Sequence, residues 1–118
     1  MSVEDWKLDF ETELQRAENA RRLGNEGQAR VCARRAAGLL SRHYLRDASV
    51  SIEGYSAYDL IAVLQEQPNL PEGAREILTH LRARVEPGGV LPLSIDLIAE
   101  TRQLPSILGM VDKNTSNF

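Results

Sequence analysis

Apolar side chains recur at intervals of three and four residues along most of this chain, and this spacing restricts the fold more than any other feature. No segment shows the alternation of apolar and polar residues that is typical of a half-buried strand, although residues 90–93 are compatible with a short extended piece. The sequence therefore predicts an all-α protein, an up-and-down bundle of four to five helices.

Capping residues and helix breakers set the limits of these helices. The predicted helices cover residues 3–23 behind the N-cap Ser2, residues 26–46, a short helix capped by Ser56 and ended before Pro68, residues 71–85, and a last helix after Ser94 that Pro105 kinks or breaks. We expect one domain over residues 1–110 and a flexible C-terminal tail over residues 111–118, because that tail is polar and featureless.

The second predicted helix has an apolar stripe made mainly of small residues. Its members are Ala29, Ala33, Ala36, Leu40 and Tyr44, widened by Cys32 and Leu39. Small side chains allow helix axes to approach closely, so this helix is predicted to be the central one.

Composition excludes several classes of protein. Cys32 is the single cysteine, so neither an intramolecular disulfide nor a multi-cysteine zinc site can form. The two histidines have no carboxylate at metal-ligand spacing, so we expect no metal and no cofactor. The first ten residues are acidic rather than basic, and the longest strongly apolar run is residues 60–64. These features favour a cytoplasmic protein without membrane contact.

Charge is unevenly distributed: residues 15–46 contain eight arginines, whereas residues 47–100 contain nine acids. Four of the arginines follow steps of four residues, with Gly38 in the missing place, and form a candidate phosphate-binding stripe: Arg30, Arg34, Arg42 and Arg46. The favoured alternative is that the stripe pairs with acids on the other helices or on a partner subunit. A net charge of −3 and the lack of interleaved aromatic residues make nucleotide or RNA contact the minority hypothesis.

Arg75 and His80 are the candidate catalytic residues, since a histidine can transfer protons and an arginine can stabilise charge on a phosphate. Five residues along a helix correspond to a rotation of about 140°. The two side chains are therefore expected on opposite flanks, and the simpler interpretation is a pair of solvated surface residues.

Residues 27–38 (GQARVCARRAAG), continuing to His43-Tyr44-Leu45, resemble the second helix of HEPN-domain proteins. Ala57-Tyr58-Asp59-Leu60 is similar to the short third helix of that family, and residues 95–100 to the start of its last helix. The resemblance implies a bundle of four or five helices, frequent homodimers, and systems linked to nucleotide binding, toxin–antitoxin pairs or RNA cleavage.

HEPN ribonucleases share an arginine, then a polar residue that is often asparagine, and a histidine four to six residues after the arginine. Arg75 and His80 match that spacing, but Glu76 replaces the usual polar residue. We therefore expect a non-catalytic HEPN-like module that forms a homodimer or binds a partner protein. A metal-independent ribonuclease or toxin-like protein that uses Arg75 and His80 is the alternative.

Overall fold

The computed structural model describes residues 5–83 and 95–110, and of Asp5 only the backbone. This part of the chain is entirely helical, without strands, which confirms the all-α prediction. The helices are α1 (Asp5–Arg22), α2 (Glu26–Asp47), α3 (Ala57–Gln65), α4 (Glu72–Arg82) and α5 (Leu97–Ile107). The predicted cap Ser2, the possible extended piece at 90–93 and the predicted tail at 111–118 lie outside the described residues. None of the five helices is long and apolar enough to cross a membrane.

The helix boundaries follow local hydrogen bonding. The side chain of Asn25 caps α2 by accepting a hydrogen bond from the backbone N–H of Gln28, 3.0 Å away. Ser56 and Asp59 cap α3 reciprocally, each side chain accepting from the other's backbone N–H. Helix α5 begins behind Asp96, and it continues two residues beyond Pro105, so the proline does not break it.

Helix α2 is the central helix, as predicted, because it packs against all four others. Its side chains Ala33, Ala36 and Leu40 are fully buried. Ser41 and Leu45, which the predicted apolar stripe does not include, are also fully buried. A helix covered on several sides buries more than one stripe, and the Ser41 hydroxyl is accommodated by donating to the Ala37 carbonyl at 2.7 Å.

The other four helices surround α2 on most sides, since α1 packs against α5, α5 against α4, and α4 against α3. Arg102 of α5 reaches Glu11 at 2.6 Å and Glu18 at 2.8 Å, and Arg21 of α1 reaches Asp96 at 2.9 Å. Burial by itself raises the pKa of Asp96. Hydrogen bonds from Arg21 and from backbone amides outweigh that effect, so the pKa lies below its ordinary value.

Within the described residues, α1 and α3 make no close backbone contact with each other, although both pack on α2. A groove therefore remains between them, with α2 as its floor. This groove carries the site described below.

Gly38 sets how closely α3 approaches α2. A Cβ atom placed on Gly38 would lie 2.6 Å from the Cβ and 2.9 Å from the Cα of Ala57, closer than real Cβ atoms approach other atoms. The first residue of α3 therefore rests directly on the α2 backbone. Gly38 interrupts the predicted arginine stripe because a larger residue at this position would collide with Ala57.

We expect Gly38→Ala to lower the free energy of unfolding by about 1–3 kcal/mol, because overpacking outweighs the gain of up to about 1 kcal/mol in helix propensity. Urea denaturation followed by circular dichroism measures this. Gly27→Ala is the matched control, since its Cβ would meet only Asn25 Oδ1 at 3.7 Å, and it should be neutral or stabilising. A Gly38→Ala protein as stable as the parent would contradict the close packing.

Candidate functional site

Arg75 holds the C-terminal end of α3. Its guanidinium donates to the backbone carbonyl of Gln65 and, at 3.4 Å, to that of Gln67. The last carbonyls of a helix have no partner within the helix, so an arginine that donates to them acts as a cap. Glu72, one turn earlier on α4, lies 4.0 Å from the guanidinium.

His80 contacts α5, whereas Arg75 contacts α3. Its Nδ1 lies 2.7 Å from Glu100 Oε1 of α5, and the two side chains are 23% and 26% exposed. A hydrogen bond to a carboxylate at this depth is only partly screened by water. The pair therefore joins α4 to α5.

The structure does not bring Arg75 and His80 together. Helix α4 is regular between them, and one side chain is directed to α3 while the other is directed to α5. This placement agrees with the rotation expected from their spacing. The interpretation of both as solvated surface residues is wrong, because each contacts a neighbouring helix.

Two of the four arginines in the predicted phosphate-binding stripe lie away from the groove. The Nε of Arg34 donates to the Leu81 carbonyl at 2.9 Å, near the end of α4. Arg34 is thus a second arginine that holds a helix C-terminus. Arg30 is half-buried and does not line the groove.

Arg42 and Arg46 do lie at the groove, and the structure adds Arg35 to them. At 100° per residue, residues 35, 42 and 46 fall within an arc of about 40° on the helix surface. We call Arg35, Arg42 and Arg46 the arginine row. The stripe predicted from the sequence does not include Arg35, because repeated steps of four drift around a helix, whereas intervals of seven and then four residues stay on one side.

The groove consists of two adjoining pockets that share Arg42. One pocket, of about 220 Å³, lies between α1, α2 and α3. Its lining residues are Glu13, Arg35, Gly38, Leu39, Arg42, Ala57 and Leu60. The other pocket, of about 290 Å³, lies at the end of α2. Its lining residues are Arg42, Arg46, Ser51, Ile52, Glu53 and Gly54.

The arginine row differs from other arginines of the chain in its pairing. Arg16, Arg21 and Arg102 each form an ion pair with a carboxylate. No described carboxylate lies within 4.0 Å of any guanidinium of the row. The expectation that the stripe pairs with acids on the other helices is therefore not met for Arg42 and Arg46.

The arginine row gives the groove groups that can bind anions. Guanidinium groups donate paired hydrogen bonds to carboxylates or phosphates. Neither pocket is lined by a histidine or a cysteine that could act as a proton carrier or nucleophile. His43 lies on α2 but stacks on Trp6 of α1, with ring centroids 5.3 Å apart, so packing is its role. Among residues 5–83 and 95–110, no cluster of three potential ligands could hold a metal ion.

Loss of the His80–Glu100 contact should destabilise the fold. We expect His80→Ala to lower the free energy of unfolding by about 1–2 kcal/mol, because Glu100 then loses its hydrogen-bond partner in a partly buried position. Glu76→Ala, an exposed change on the same helix, is the control and should stay within about 0.5 kcal/mol. A thermal melt of His80→Ala that coincides with that of the control would show that the contact contributes nothing.

No protein-family model, curated protein or solved structure matches the chain. The similarity to HEPN domains thus stays a prediction from the residues of α2, α3 and α5.

Proposed function

We propose that this chain is a non-catalytic, HEPN-like helical module that acts by self-association or by binding a partner protein, and that the arginine row supplies its contact surface. The observation that carries the proposal is the row itself: Arg35, Arg42 and Arg46 lie on one side of α2 without a described carboxylate within 4.0 Å. Like charges on neighbouring turns, such as Arg42 and Arg46, repel one another. An acidic partner would relieve that repulsion.

Three arginines outside the row differ from it because each has a partner within the monomer. Arg34 and Arg75 hold helix ends, and Arg102 links α5 to α1. Each of these side chains binds a carbonyl or carboxylate group of another helix in the same chain. The row has no such contact in the described part of the chain, so an intermolecular role accounts for it best.

The small residues of α2 do not add to the case for self-association. Ala33, Ala36 and Ala37 are fully buried within the chain's own core. Because these residues are buried within one chain, a second chain cannot contact them. On α2, association must therefore involve the charged surface. We also propose a cytoplasmic location and a role in a pair of the toxin–antitoxin type. Contact with a nucleotide or phosphate ranks below contact with a protein.

The alternative is a metal-independent ribonuclease that uses Arg75 and His80. The spacing of the two residues favours it, since HEPN ribonucleases have such a pair. The contacts of the two side chains weigh against it, because Arg75 holds the end of α3 while His80 is bound to Glu100. A general acid–base residue and its phosphate-stabilising partner must reach one reacting group.

We expect the parent protein to associate at low salt and to lose that association when Arg35, Arg42 and Arg46 are all changed to alanine. Light scattering at tens of micromolar protein, at low and at high salt, measures the mass against the monomer value of 13.2 kDa. Salt should weaken association because exposed charges are screened. Arg30→Ala, on the same helix but outside the row, is the control. A parent that is strictly monomeric and carries no co-purified partner would contradict the proposal.

We further expect no cleavage of single-stranded RNA above the level of buffer, with or without added divalent metal. His80→Ala and Arg75→Ala should then leave the result unchanged. Acid–base catalysis contributes about a hundredfold or more in rate, so a true site would give a clear difference between parent and variant. Cleavage by the parent that disappears in His80→Ala would establish the alternative instead.

A further inference from the structure

The groove follows the surface of α2. Arg35 and Arg46, at the two ends of the arginine row, are eleven residues apart, or about 16 Å at 1.5 Å per residue. The two pockets, of about 220 and 290 Å³, join at Arg42 along this length. A partner helix, about 10 Å across with its side chains, would not enter a space of this size. An extended segment of about five residues, at about 3.3 Å each, matches the length.

The walls of the groove combine positive charge with apolar surface. The arginine row offers three cations, and between α2 and α3 the lining includes the apolar side chains of Leu39, Ala57 and Leu60. Carboxylates accept paired hydrogen bonds from guanidinium groups, and an apolar side chain can pack against the apolar part of the lining. The complementary ligand therefore carries both acidic and apolar groups.

The acidic residues of the groove disfavour a polyphosphate. Glu13 and Glu53 line the two pockets. They repel a ligand that is charged at every position, as a phosphate chain is, more than a ligand whose carboxylates are spaced by neutral groups. Glu13 Oε1 is buried and accepts no hydrogen bond from the described residues, so a donor is the group it lacks. A peptide backbone supplies N–H donors without adding charge, whereas the donors of an RNA backbone, its 2′-hydroxyls, come with a phosphate at every nucleotide. No aromatic side chain lines either pocket to stack a base.

We infer that the groove formed by the arginine row, Leu39, Ala57 and Leu60 binds a short extended segment of a partner protein that is rich in acidic residues with interspersed apolar ones. This inference rests on the proposed function, since it names the partner chemistry of the same surface. Binding neutralises the row and covers the apolar floor of the groove. Specificity follows from charge, because a basic segment meets three arginines.

The test is a nuclear magnetic resonance titration of the isotope-labelled full chain with a nonapeptide of three Glu-Glu-Leu repeats. Backbone signals of residues near the groove, on α2 and at the start of α3, should shift, and those of α4 should not. Arg35→Ala, Arg42→Ala and Arg46→Ala should each raise the dissociation constant about threefold to fivefold. Arg30→Ala should leave it unchanged. Arg42→Glu should weaken binding of the acidic peptide and strengthen binding of an analogue made of Lys-Lys-Leu repeats.

A nona-uridylate RNA in the same titration separates peptide from phosphate recognition. Shifts of the groove residues at lower concentrations of RNA than of peptide would overturn the inference. The absence of any shift with several millimolar peptide would overturn it too. If light scattering then still shows association that depends on the arginine row, the proposed function stands and only the acidic-segment occupant fails. If that association is absent as well, both fail.

Discussion

The close contact of Gly38 with Ala57 is the constraint on which the arrangement of this bundle depends. It places the start of α3 directly on the α2 backbone and so fixes where α3 leaves the central helix. With α1 on one side of α2 and α3 on the other, a groove stays open between them. The arginine row lies along that groove because α2 is buried on several sides but not on this one. Packing of small residues thus determines where the unpaired charge lies.

The described arginines of this molecule differ in what they contact. Arg34 and Arg75 donate to carbonyl groups at helix ends, which are otherwise without a hydrogen-bond partner. Arg102 joins the last described helix to the first through two carboxylates. The row on α2 makes neither kind of contact. A count of arginines in the sequence cannot separate these cases, because the difference lies in which helix end or carboxylate is within reach.

Much of the fold could be predicted from the sequence, because helix limits are set by local chemistry. The Asn25 cap and the Ser56–Asp59 capping box are visible as short patterns and are present in the structure. Burial of Ser41 and Leu45 could not be predicted from one apolar stripe, since it depends on how many neighbours cover α2. The candidate sites were less predictable. Helical rotation alone separates Arg75 from His80. Their contacts with Gln65 and Glu100 depend on tertiary packing, so the sequence does not show them. Arg35 could have been found by looking for intervals of seven and four residues instead of steps of four.

The bridges from Arg102 to Glu11 and Glu18 join residues 91 and 84 positions apart in the chain. During synthesis α1 and α2 are made before α5. Until Arg102 has been made, the two carboxylates on α1 are without this arginine. These contacts can therefore form only after translation has passed α5, and until then the nascent chain exposes the part of its core that α5 covers.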